Sequence, residues 1–125
     1  MPTIAIIGAS ADRRKYGNTC VRAYASEGYT VYPIHPREAM IEGLAVYASI
    51  RDVPAGRIDR VSIYLPAAAG LKVLDEIATR EVGEVWLNPG ADDPSVVERG
   101  EELGLNIVTG CSIVDIGVSP HELRA

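Results

Sequence analysis

A chain of 125 residues suits a single compact domain, large enough for a real core and too short for two ordinary ones. Its hydrophobic fraction of 47% argues against disorder. A formal net charge of −5 excludes the broad cationic surface of a general nucleic-acid binder, and no segment approaches the ~20 apolar residues of a membrane span.

In chain order, Thr3–Gly8 is short and continuously apolar, a buried strand. Asn18–Glu27 reads as a helix with Asn18 as N-cap and Gly28 as its stop. Thr30–Ile34 is a second strand closed by Pro33 and Pro36. Leu44–Tyr47 is expected as a short third strand, Ser49–Val53 as one helical turn, and Arg60–Leu65 as a stronger fourth strand. Across Ala67–Val82, Val73, Leu74, Ile77 and Ala78 share one helical face, with Lys72, Asp75, Glu76 and Arg80 on others. Val85–Asn88 is a strand. Asp93 and Pro94 supply a cap and an N1 proline for a helix running to Leu103 and stopped by Gly104. Asn106–Thr109 is the last clear strand, Ser112–Ile116 reads as strand or turn, and Ser119–Arg124 as a short terminal helix.

Apolar strands alternating with amphipathic helices imply a parallel sheet covered on both faces. The expected architecture is a Rossmann-like doubly wound sheet of five or six strands, three-layer α/β/α, in one domain over 1–125. Its expected strand order is 3-2-1-4-5, with room for one more. Ligands of such sheets bind beyond the carboxyl ends of the strands, which here are Gly8-Ala9-Ser10, Pro33-Ile34-His35-Pro36-Arg37, Tyr64-Leu65-Pro66 and Asn88-Pro89-Gly90.

The first of these ends carries the strongest chemistry. A glycine turn, three consecutive cations (Arg13, Arg14, Lys15) and a helix start form a seat for phosphate, because free helix amides and full positive charges converge there. The glycines depart from the usual dinucleotide spacing. An NAD site also wants an acidic residue about 20 positions on, for the ribose 2′-hydroxyl. His35 and Arg37 occupy that stretch instead. Cations there suit a ribose bearing an extra phosphate, as in NADP or coenzyme A.

The ordered set Gly8-Ala9-Ser10, Lys15-Tyr16-Gly17-Asn18, Gly28 through Pro36, Glu42-Gly43 and Trp86 through Ala91 resembles the small single-domain bacterial CoA-binding proteins. These in turn are similar to the CoA-binding domain of the succinyl-CoA synthetase alpha subunit. The resemblance runs from about Ile4 to Cys111. It implies that Gly8, Ala9 and Ser10 take the phosphates with Arg13 or Lys15, in a loop completed by Tyr16, Gly17 and Asn18. Ile34, His35 and Pro36 would lie beside the adenosine, Arg37 at the 3′-phosphate, and Leu65 and Pro66 along the adenine. Asn88, Pro89 and Gly90 would border the pantetheine arm, with the thiol toward Cys111. His35 stands where the family usually has asparagine, and Gly110 where it often has a basic residue or asparagine.

The expectation is non-catalytic binding of coenzyme A or acyl-CoA, as carrier, sensor or partner subunit. Two alternatives stand beside it: an NADP-binding oxidoreductase-like domain, and a Rossmann-like interaction module that has lost its ligand. Neither His35 nor His121 joins a triad or metal set, and Cys20 and Cys111 lack metal-type spacing. Reduced thiols, no basic signal-peptide start and no span point to a cytoplasmic protein, with a protein partner or homo-oligomer possible and no membrane or nucleic-acid partner.

Overall fold

A computed structural model describes residues 2–123, with the side chains of 122 and 123 outside the description. Five parallel strands form the sheet: β1 (Thr3–Ile7), β2 (Thr30–Ile34), β5 (Arg57–Ile63), β6 (Glu81–Leu87) and β7 (Asn106–Thr109), in the order β2-β1-β5-β6-β7. The order reverses between β1 and β5, which sets the ligand-binding switch point at the ends of those two strands.

Successive side chains of β1 point to opposite faces, and each face has its own core. Ile4 and Ile6 pack with Cys20, Val21 and Tyr24 of α1 (Tyr16–Ser26) and with Ile113 of α4 (Ser112–Asp115). Ala5 and Ile7 pack with Val73, Leu74 and Ile77 of α2 (Ala67–Ile77) and with Val96 of α3 (Pro94–Glu102). The result is the expected three-layer, doubly wound architecture.

Leu44–Tyr47 does not form the third strand of the main sheet. Met40–Ile41 (β3) and Leu44–Ala45 (β4) instead pair antiparallel. The turn between them places Glu42 at φ 49° and Gly43 at φ 77°, the left-handed pair that a two-residue hairpin needs. Among the described residues a single parallel bridge, Ile34 to Tyr47, extends the sheet on that side.

The helix expected over Ala67–Val82 ends at Ile77, and β6 begins at Glu81 rather than Val85. The charges that locally suggest a helix surface are cross-strand partners. Arg57 stands beside Glu81 in register and pairs with it at 3.6 Å; Arg60 stands beside Glu84 and pairs at 3.2 Å. Arg80 also donates to the carbonyls of Ile50 and Ala55, drawing the chain out of the helix. The fourth expected strand starts earlier for the same reason, at Arg57.

Asn18 is not the N-cap of α1, which begins at Tyr16 after Lys15. Ile50–Asp52 forms a 3₁₀ turn capped by Ser49. Asp93 caps α3 through its side chain, with Pro94 at the first position, as its sequence implies. Ser112–Asp115 is a short helix, neither the strand nor the turn expected over Ser112–Ile116. The terminal helix α5 covers Pro120–Leu123; Arg124 of the expected helix lies outside the described residues.

Candidate functional site

A cleft of about 720 Å³ opens at the switch point, walled by the ends of β1, β2, β5 and β6 and by one face of α2. Its floor depends on close backbone approach. Gly8 sits at φ +89°, and a Cβ there would stand 2.5 Å from the Tyr64 carbonyl oxygen. A Cβ on Gly17 would collide with the Gly8 carbonyl oxygen. The two glycines therefore let α1 begin directly against the β1 turn, and Lys15, Tyr16 and Gly17 at its start line the cleft. The N-cap residue of α1, Lys15, makes no side-chain cap hydrogen bond.

The cation triplet divides. Lys15 lines the cleft. Arg14 turns back on Asp12, which accepts from its backbone N–H at 3.0 Å and from Nε at 3.1 Å. Those bonds hold the Asp12 carboxyl at about 2, well below the usual carboxylate range. Arg13 lies outside the cleft lining and pairs with Glu42 at 3.5 Å. Asn18, fully buried, donates to the Ser10 carbonyl at 2.9 Å and to Glu42 at 3.0 Å, so it ties the phosphate-type loop to the β3–β4 turn.

Of the remaining expected site residues, Gly8, Ala9, Ser10, Tyr16, Gly17, Ile34, His35, Pro36, Leu65, Pro66, Pro89 and Gly90 all line the cleft. His35 Nδ1 accepts from the backbone N–H groups of Arg37 at 3.0 Å and Glu38 at 3.1 Å. In its neutral form the ring therefore carries its proton on Nε2. Arg37 is exposed and does not line the cleft.

Asn88 does not line it either. Its amide is spent on the fold: Nδ2 donates to Ser62 at 2.8 Å and to the Ile63 carbonyl at 2.9 Å, while Oδ1 accepts from Ser112 N–H at 2.9 Å. Asn88 and Cys111 meet instead in a smaller cavity of about 180 Å³, which shares Tyr16, Tyr64 and Pro89 with the main cleft. Cys111 is a half-buried free thiol. Cys20 is a fully buried one, its pKa pushed up to about 11 by burial.

Sequence reasoning missed the α2 wall. Ala69, Lys72, Val73 and Glu76 face the cleft, as does Ser49 opposite them. Their spacing is a helical stripe and was available in the sequence, but two charges on it read as a solvated face. Among the described residues no cluster of three His, Cys, Asp or Glu side chains is placed to hold a metal ion, and no helix is long and apolar enough to cross a membrane.

This architecture, with its cleft at the switch point, defines a nucleotide-binding type of α/β domain. The chain belongs to the CoA binding domain family, whose model matches residues 2–117. It is 29% identical over 115 residues to acetate–CoA ligase (ADP-forming) I of Archaeoglobus fulgidus, covering 84% of this chain and 17% of the ligase. It is 28% identical over 116 residues to the alpha subunit of acetate–CoA ligase (ADP-forming) II of Pyrococcus furiosus, covering 84% of this chain and 25% of that subunit. The chain thus spans a quarter or less of those curated relatives.

Among solved structures, a conserved hypothetical protein from Pyrococcus furiosus superposes with a TM-score of 0.82 at 30% identity, covering 92% of this chain and 99% of that one. The dinucleotide-forming acetyl-coenzyme A synthetase 1 of Ca. Korarchaeum cryptofilum, in complex with phosphate and ADP, superposes at 0.73 with 28% identity, covering 85% of this chain and 25% of the synthetase.

Proposed function

We propose that this domain binds coenzyme A or an acyl-CoA without transforming it, as a carrier, a sensor or the coenzyme-holding partner of a separate catalytic chain. The observation that carries the reading is the cleft corner itself. The start of α1, the Gly8–Ser10 turn and Lys15 all line one space, in a chain whose family match runs from residue 2 to residue 117. Helix amides and an ammonium group together favour a diphosphate. Lys72 brings a second cation from the opposite wall.

In this reading the diphosphate rests on Gly8, Ala9, Ser10 and Lys15, with the adenosine toward Ile34, His35 and Pro36. The pantetheine arm runs past Pro89 and Gly90 toward the smaller cavity and Cys111. Arg13, Asn18 and Asn88 act by fixing the loops. The ligase relatives are several times longer than this chain, which fits a division of labour in which coenzyme binding resides here and chemistry elsewhere. Two free thiols suit a reducing, cytoplasmic setting.

Isothermal titration of the purified chain with CoA, NADPH and NAD tests the reading. CoA is expected to bind and NAD to give no heat. Preference for NADPH would favour the oxidoreductase-like alternative, and silence with all three the interaction module.

A further inference from the structure

We propose that Glu76 reads the base of the bound nucleotide by accepting a hydrogen bond from the exocyclic amino group of adenine. The inference rests on the coenzyme reading above. A carboxylate in the wall of a cleft meant for a polyanion costs affinity through like-charge repulsion unless it meets a donor. Glu76 is such a carboxylate, and its neighbours hold it in place as an acceptor.

Ser49 is the key neighbour. Its Oγ accepts from the Arg51 backbone N–H at 3.1 Å, which directs its own hydroxyl proton onto Glu76 Oε1 at 2.5 Å. Arg51 Nη2 stands 3.8 Å from the same oxygen and offsets part of its charge. Every described partner of the Glu76 carboxylate falls on Oε1, so Oε2 is left with acceptor capacity among the described residues.

Beside this group the cleft is apolar, with Ile34, Ala48, Ile50 and Val73 in its lining. Flat apolar walls with one fixed acceptor suit a purine that offers an amino group. They disfavour a purine offering a carbonyl at the same place, since the two acceptors would repel and neither would be paired. The competing explanation is that Glu76 merely pins the Ile50–Asp52 turn onto α2. That role would affect every ligand equally.

Binding of CoA and of 1,N6-etheno-CoA, in which the amino group has lost its hydrogens, to the wild type, Glu76→Ala and Glu76→Gln separates the two. The wild type is expected to bind CoA about tenfold tighter than the etheno analogue, the loss of one hydrogen bond to a charged acceptor. Glu76→Ala should shrink that ratio to less than about twofold, and Glu76→Gln, which keeps the volume and an acceptor oxygen, should leave an intermediate ratio at an unchanged melting temperature. A wild type that binds both ligands alike, or variants that keep the full ratio, would overturn the assignment while leaving coenzyme binding intact. No CoA binding by the wild type would overturn both.

Discussion

Arg13, Arg14 and Lys15 are adjacent in sequence and have three different fates. The Asp12 side chain takes Arg14, Glu42 takes Arg13, and Lys15 faces the cleft. Replacing Lys15 with alanine should therefore weaken CoA binding by about 1–2 kcal/mol, the scale of a charge-assisted contact at a partly solvated site. Arg13→Ala should cost less than about half of that, because an exposed ion pair contributes little. Titrations of the two variants decide the point; equal losses would mean that Arg13 swings into the cleft. The cysteines divide in the same way. Cys20 is fully buried, with its thiol pKa pushed up to about 11 by burial, whereas Cys111 borders a cavity. A maleimide reagent near neutral pH should label one thiol of the native protein, mapped to Cys111 by mass spectrometry. Rapid labelling of Cys20 would show that the α1 core opens.

Elements defined by their own residues were the readable ones. Asp93 and Pro94 start α3 because cap and N1 chemistry are local, and Asn106–Thr109 forms β7 about the β-branched pair Ile107 and Val108. Elements whose form depends on a partner were not. Glu81 and Glu84 belong to a strand only because Arg57 and Arg60 stand beside them, some two dozen residues away. Leu44 and Ala45 leave the sheet because a left-handed turn at Glu42 and Gly43 offers them a nearer partner. For the candidate site, the strand-end loops were visible as glycine and proline punctuation. Lys72 and Glu76 were not, since a charged side chain facing a cleft looks locally like one facing water. Asn88 shows what such distant contacts hold together. It joins β5, β6 and α4 through Ser62, Ile63 and Ser112. Asn88→Ala should destabilise the fold by on the order of 3 kcal/mol, because it strands buried donors and acceptors. Chemical denaturation gives the value, and a loss under about 1 kcal/mol would mean that water replaces the amide.

At the scale of the whole molecule, the five-stranded order β2-β1-β5-β6-β7 fixes where the ligand can go. Four strand ends and α2 line one cleft, and a smaller cavity bordered by Cys111 and Pro120 shares Tyr16, Tyr64 and Pro89 with it. Membership of the CoA binding domain family gives that space its proposed occupant. The coenzyme is long, and the two cavities, with Tyr16, Tyr64 and Pro89 lining both, would give the proposed occupant an extended path. A crystal structure of the chain soaked with CoA tests the central claim most directly. The account predicts the diphosphate within hydrogen-bond reach of the amides that open α1 and of the Lys15 ammonium. Coenzyme bound on another surface, with that corner filled only by solvent, would contradict it.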